Sequence, residues 1–300
     1  MRTKNITITG GSGFIGTHLV RLLLEKGYHV TVLDLKDSEL NHPHLIFIRG
    51  DVRIRNDLES AITDRTDAVF HFAAIVSVPE CEQNPKASFE TNLVGTQNVL
   101  DRILHLKPEK NILIFFASSA AVYGDICGDG HRLTEEEKLP QPLSFYGLHK
   151  YASEQSLRLY CAKYGLYGLS FRFFNVYGPG QKADSPYSGV MTLFQRAFET
   201  GDEVKLYNYG NNSRDLIHVS EIARSCAIAL ESPRELLRGQ PVNLCTGESK
   251  LIKDVFKEMS IKFGKAIPVI ELPPREGDIQ WSCGDNTRFK TLFENPKKTS

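Results

Sequence analysis

The first half of the chain alternates short apolar runs with amphipathic stretches. Asn5 to Thr9 is a β-branched run that ends at Gly10. From about Thr17 to Lys26, Leu19, Val20, Leu22, Leu23 and Leu24 recur at helical spacing, and Gly27 stops the pattern. Tyr28 to Asp34 and Leu45 to Ile48 read as strands, and Asp57 to Thr63 as a helix. Ala68 to Phe72 and Ile112 to Phe116 are almost continuously apolar, as strands covered on both faces are. Glu82 to Leu106 is predicted as one long helical region, and a further helix starts near Tyr146, after Pro140-Gln141-Pro142. Leu169 to Phe173 is a sixth strand. This alternation predicts an α/β protein whose parallel sheet is doubly wound, with helices on both faces. Beyond Pro179 it loosens, although Val219 to Leu230 and Ile252 to Phe263 still read as helices. A smaller α/β lobe is expected there, interleaved with the first. Residues 1–175 with about 214–243 form the large lobe, and about 176–213 with 244–300 the small one.

Composition narrows the partners more than the fold. The 300 residues allow one large domain or two coupled ones. Lys plus Arg and Asp plus Glu both total 36, so nothing favours nucleic acid or an anionic membrane surface. No apolar run reaches about 18 residues, the length that spans a bilayer. The six cysteines are scattered without a C-x-x-C, and the amino terminus runs into a strand without a signal-peptide pattern. A reduced, cytoplasmic protein is expected. No cluster has metal-ligand spacing. His71 reads as a core residue, His149 as solvent-facing, and Lys297 to Ser300 as a frayed end.

Chemistry enters at the ends of the strands. Gly10, Gly13 and Gly16, with Phe14 and Ile15 between the last two, sit between the first strand and helix. Such a loop closes tightly, lets backbone approach a pyrophosphate and lets helix pack on strand, while the helix N-terminus attracts the phosphates. Asp34 ends the second strand, where a carboxylate suits a ribose diol and repels a 2′-phosphate, so NAD is favoured over NADP. Ala73 and Ala74 are small enough for a cofactor to lie against the chain. Ser118 and Ser119 end the fifth strand, where they could face a ligand or merely cap a turn. Tyr146 and Lys150 share one helix face at i and i+4. An ammonium beside the phenol would favour the phenolate, and a shift of three units takes roughly 4 kcal/mol.

Together these motifs resemble the extended short-chain dehydrogenase/reductases, in the NAD-dependent nucleotide-sugar epimerase/dehydratase family, with the UDP-hexose 4-epimerases nearest. The resemblance runs from the glycine loop through Asp51-Val52, His71-Phe72-Ala73-Ala74, Asn92, Ser118-Ser119, Tyr146 to Lys150 and Arg172 to Pro179. It extends to Arg214 to Val219 and Arg275 to Asp278. It implies a Rossmann-type sheet with a smaller substrate-binding lobe, NAD as cofactor, a nucleotide-diphosphate sugar as substrate, and a homodimer. It also implies roles: Asp51 and Val52 at the adenine, Asn92 with the cofactor, Tyr146 as base, Lys150 as its partner, and Ser119 on the substrate hydroxyl. Ser77, Asn175, Arg214, Arg275 and Asp278 would contact substrate, and Ser282 would wall the sugar's 2-position. Tyr207 would stack on the nucleobase, but Asn208-Tyr209-Gly210 departs from the Gly-Asp-Gly that usually follows. The family's 4,6-dehydratases carry an acid pair after the hydroxyl residue, where this chain has Ala120-Ala121, so 4-epimerisation is expected. A net reductase, a dehydratase and a non-catalytic NAD sensor are the alternatives.

Overall fold

The structure, a computed structural model, describes residues 3–107, 110–128, 130–137, 140–181, 189–275 and 278–294. Glu276, Gly277 and the carboxyl-terminal tail, to which expectations were attached, lie outside these residues.

The chain opens with β1 (Asn5–Thr9), α1 (Phe14–Glu25), β2 (His29–Asp34), β3 (Leu45–Arg49), α2 (Arg55–Ala61) and β4 (Ala68–His71). It continues through α3 (Val78–Gln83), α4 (Pro85–Ser88), a π-helical turn (Phe89–Val94), α5 (Gly95–Leu106), β5 (Leu113–Ser119), α6 (Phe145–Tyr164), β6 (Tyr167–Phe173) and β7 (Asn175–Tyr177). Then follow α7 (Val190–Thr200), β8 (Val204–Tyr207), β9 (Ser213–His218), α8 (Val219–Glu231), β10 (Arg238–Leu244), β11 (Ser249–Leu251), α9 (Ile252–Phe263) and β12 (Val269–Leu272). Seven strands form one sheet in the order β10-β6-β5-β4-β1-β2-β3, with every pairing parallel. This is the Rossmann-type doubly wound sheet. The chain leaves β1 first towards β2 and β3, then crosses back to β4, so the topological switch point lies between β1 and β4.

Both faces are filled. Ile6, Ile8, Val30 and Phe70 pack against Leu19 and Leu23 of α1 and Ile222 and Cys226 of α8. Leu33, Val69, Ile114 and Phe116 pack against Leu58, Val99, Ile103 and Leu157 of α2, α5 and α6. Phe70, Phe115 and Phe171 stack across three neighbouring strands, with ring centroids 4.7 and 5.8 Å apart. All four residues of β4 are buried, which is why its sequence shows no alternation. The remaining strands form a three-stranded sheet, β11-β9-β7, and a β12-β8 pair. Phe194 and Phe198 of α7 and Val255 and Met259 of α9 pack on the latter.

Three expectations are corrected. Helix α1 begins at Phe14, a turn earlier than the apolar spacing suggests. The single helical region from Glu82 instead starts at Val78 and breaks at Asn84, where Pro85 opens a new helix because a first turn has no use for the missing N–H; from Pro85 to Leu106 it runs on through the π turn. Residues 214–218, assigned to the large lobe, pair as β9 in the small sheet.

Candidate active site

The turn from β1 into α1 uses its glycines differently. Gly10 has φ of 74°, and a Cβ there would stand 2.6 Å from the Ala73 nitrogen. A Cβ at Gly16 would stand 2.2 Å from the Gly10 oxygen, so helix and strand touch through backbone. Gly13 meets only the Gly10 oxygen, at 3.2 Å, leaving its other side open. It is also the N-cap of α1, with no side-chain cap, and the helical bonding starts with Thr17 N–H donating to Gly13 O at 2.9 Å. The Phe14, Ile15 and Gly16 N–H groups therefore have no acceptor among the described residues, an arrangement suited to a diphosphate. Asp34 Oδ2 accepts from Ser12 N–H and Oδ1 from Lys36 N–H, each at 3.0 Å, with a lone pair left on each oxygen for a ribose diol. These residues fit a dinucleotide.

The opposite wall is the loop after β4. Ala73 and Ala74 are half-buried there. Asn92 reaches the loop from the π turn: its Oδ1 accepts from Ile75 N–H at 2.8 Å and its Nδ2 donates to Ile75 O at 2.9 Å. At 1% exposure Asn92 acts through that loop, with no surface of its own for a ligand. Asp51 is gripped by the Arg53 guanidinium, whose hydrogen bonds hold its carboxyl below the ordinary range. Val52 is buried against Gly95, so only its backbone remains for a ligand. Ser77 caps α3, accepting from Glu80 N–H at 3.3 Å.

At the carboxyl end of β5, one face of α6 grips three consecutive residues. Tyr146 stands beside Ser119, Lys150 Nζ donates to Ala117 O at 2.7 Å, and Glu154 accepts from Ser118 Oγ at 2.5 Å. Positions 146, 150 and 154 are i, i+4 and i+8, so a single helical stripe reads the strand end. Ser144 caps the helix on Gly147 N–H at 3.0 Å, and Gly147 lets α6 approach, since a Cβ there would stand 2.6 Å from Ala121 O. Ser119 also accepts from Ala121 N–H at 3.1 Å, so capping and facing the tyrosine are compatible. Behind this face Glu154 forms a fork with Arg172, at 2.9 and 2.8 Å, both side chains buried.

The electrostatics correct one expectation. Burial pushes the Tyr146 phenol up to about 12, although the Ser119 hydroxyl opposes it. Burial also pulls Lys150 down to about 7, opposed by Cys81 and Glu154. The ammonium lies 5.7 Å from the Tyr146 ring centroid and is spent on Ala117 O, so desolvation outweighs its pull on the phenol. His149 is corrected too: it is 5% exposed, and its Nδ1 pairs with Ser88 Oγ at 2.9 Å. Helix α6 is covered by the sheet on one side and by the α4 and π-turn segment on another, and His149 faces the second.

Four of the expected substrate-side residues meet in two pairs, Arg214 with Asp278 and Tyr207 with Arg275. Arg214 pairs with Asp278 at 2.8 Å, and Asn212 Nδ2 donates to the same carboxylate at 2.7 Å. Asn175 Nδ2 donates to Asp215 O at 3.1 Å. The Arg275 guanidinium lies 3.4 Å from the Tyr207 ring centroid and covers the face expected to receive a base. Asn208 and Tyr209 take the left-handed φ values of 50° and 53° that glycine would adopt more readily. Ser282 lines a cavity of about 410 Å³ with Cys127, Arg132, Ser213 and Trp281. Neither Ser119, Tyr146 nor Lys150 lines that cavity, so Ser282 is not brought together with them there. Composition and motif missed the Glu154–Arg172 pair, although Glu154 continues the i+4 spacing of Tyr146 and Lys150.

A sheet wound outward from β1, with unpaired donors at its switch point, is the architecture of a dinucleotide-binding protein. Residues 6–245 match the NAD dependent epimerase/dehydratase family, and the chain belongs to it; NAD is its cofactor. It is 32% identical over 297 residues, 97% of this chain and 93% of the relative, to a putative UDP-glucose 4-epimerase of Methanocaldococcus jannaschii. Its fold matches the UDP-N-acetylglucosamine 4-epimerase of Methanobrevibacter ruminantium, solved with UDP-N-acetylmuramic acid, with a TM-score of 0.88 and 32% identity, covering 97% and 92% of the two chains. The Thermus thermophilus UDP-glucose 4-epimerase, solved with NAD, matches with a TM-score of 0.84 at 32% identity, covering 96% and 92%. Among the described residues no helix is long and apolar enough to cross a membrane.

Proposed function

We propose that this NAD-dependent enzyme is a UDP-sugar 4-epimerase, acting on UDP-glucose and UDP-galactose and admitting their N-acetyl forms. The observation that carries the reading is the α6 face at the end of β5. It sets Tyr146 beside Ser119 with Lys150 one turn on, and Ala120-Ala121 after Ser119 provides no acid and base for loss of water. Tyr146 takes the proton of the sugar's 4-hydroxyl, which Ser119 holds, while the hydrogen on C4 departs as hydride. Bound oxidised NAD supplies the hydride acceptor and a positive charge that favours the phenolate. The 4-keto sugar would then turn over, hydride would return to the other face of C4 and the Tyr146 proton to its oxygen, so no cofactor would be consumed.

In this reading the Phe14 to Gly16 donors hold the diphosphate of NAD, Asp34 its ribose, Asp51 and Val52 its adenine, and Ala73 and Ala74 form its wall. Ser77, Asn175, Tyr207, Arg214, Arg275, Asp278 and Ser282 belong to the substrate side, which requires Arg214 and Arg275 to exchange their present partners for phosphate oxygens. We place the enzyme in the cytoplasm, with the substrate lobe built around β8, β9 and α9, and propose a homodimer. Phe89, Val94, Phe145, Leu148 and Leu159 form an exposed apolar stripe along the π turn and α6.

The test is purified protein incubated with the four UDP-sugars, with products separated by chromatography. Interconversion without net NADH is expected, and Tyr146→Phe should lower turnover about 10²–10⁴-fold while NAD stays bound. Stoichiometric NADH would instead make the protein a dehydrogenase, and near-normal turnover of the Phe variant would remove Tyr146 from the chemistry.

A further inference from the structure

A buried hydrogen-bond chain runs beneath the site, and its directions can be worked out. Thr96 Oγ1 donates to Asn92 O at 2.6 Å, which spends its only proton. Its other partner, His71 Nε2 at 3.0 Å, must therefore be a donor. His71 is buried, its ring nitrogens meet the hydroxyls of Thr9 and Thr96, and burial, helped by the nearby Lys150 charge, pulls its imidazole down to about 3, so the ring is neutral. A neutral ring protonated on Nε2 presents Nδ1 as an acceptor. The Thr9 hydroxyl, 2.7 Å from Nδ1, therefore donates to it, and Thr9 Oγ1 in turn accepts Ala73 N–H at 3.4 Å. The far end is anchored to the catalytic helix, because Asn92 O also accepts from Ser153 Oγ at 3.2 Å. The Asn92 amide then closes on both backbone groups of Ile75. The loop Ala73 to Ile75 is thus held at its first residue through Thr9 and at its last through Asn92, with His71 between the two.

We propose that His71, locked as the Nε2–H tautomer, is the positioning residue that sets the Ala73–Ile75 loop against NAD. The chain touches neither cofactor nor substrate. It fixes where the loop stands relative to β1 on one side and α6 on the other, so the cofactor wall and the tyrosine helix share one rigid reference. The proposal rests on Ala73 and Ala74 forming the NAD wall and is independent of which sugar is turned over.

Nitrogen-15 NMR of the wild-type holoenzyme reads the tautomer directly. Protonated Nε2 with bare Nδ1 is expected, and the reverse tautomer or an imidazolium at neutral pH overturns the proposal. Exchange of bound NAD for labelled NAD reads the positioning. Thr96→Val and His71→Leu should each release NAD about 10-fold faster, the scale of one or two net hydrogen bonds, and should lose amide-exchange protection at Ile75. His71→Gln, which can both accept and donate, should recover most of the loss. Wild-type release from folded Thr96→Val overturns the proposal. Ala74→Leu separates the two readings: unchanged NAD release there would remove the wall, and the proposal with it, by a route that does not involve His71.

Discussion

Glu154→Gln is the perturbation the structure defines most sharply. Arg172 is 2% exposed, its fork is filled by Glu154, and its remaining terminal nitrogen has no hydrogen-bond partner among the described residues, the Tyr123 ring lying 4.6 Å from the guanidinium. Burial works against its charge, and the Glu154 hydrogen bonds and carboxylate outweigh that and raise its pKa. Glutamine keeps the shape but removes the balancing charge, leaving a guanidinium stranded in the core. Breaking such a pair from one side costs about 3–5 kcal/mol. With roughly 2–4 °C lost per kcal/mol in a chain of this size class, the melting temperature should fall by on the order of 10 °C. Glu154→Met with Arg172→Met removes both charges, so it should melt above Glu154→Gln. Because Glu154 also holds Ser118, beside Ser119, turnover should fall in the single variant even well below its melting point. Thermal unfolding of the three proteins decides the matter. A Glu154→Gln protein melting within about 2 °C of wild type, or a double variant melting lower than the single, would refute the reasoning.

Lys150 gives a pH test. Its folded value, about 7, lies below the ordinary lysine range, so between about 7 and 10 the unfolded chain binds more protons and stability contributed by this group rises with pH. Urea midpoints should show wild type gaining on Lys150→Met between pH 7 and pH 9.5, and a flat difference would mean Lys150 is not desolvated. Ser282→Tyr should depress turnover of the N-acetyl sugars about 10-fold or more and spare the plain hexoses; equal loss of both pairs would remove Ser282 as a gate. Light scattering should show a dimer at micromolar concentration and a monomer for Leu148→Glu, and a monomeric wild type would contradict the apolar stripe's proposed role.

The sheet was legible because its central strands carry their burial in their own composition. Ala68 to His71 and Leu113 to Ala117 are apolar or enclosed at nearly every position. The Tyr146–Lys150 face was legible for the same local reason, since i and i+4 meet on any helix. What the sequence hid is tertiary. His149, beside a lysine, looks solvated, and only the segment Pro85 to Val94 covers it. The upward push on Tyr146 comes from desolvation in the folded chain, which its position on the helix does not reveal. Arg214 and Asp278 stand 64 positions apart, so their pairing left no mark on either motif. One helix read from Glu82 to Leu106 runs through Pro85, yet Pro79 and Pro85 each open a helix of their own, because a first turn has no use for the missing N–H.

The π turn at Phe89–Val94 also fixes how this chain can change length. Each α-helical residue turns the axis by about 100°, and a π turn accommodates one residue more than an α-helix does. Losing one residue there would convert the turn to α-helix and leave the helix downstream facing as it does now, because the widened turn has already absorbed the extra residue. Val99, Leu100 and Ile103 would keep facing the sheet. Losing one residue within α5 itself would instead rotate everything beyond it by about 100° and carry those side chains round the helix. The chain's descendants are therefore expected to tolerate loss of a single residue between Phe89 and Val94, while the count from Gly95 to Leu106 stays constant.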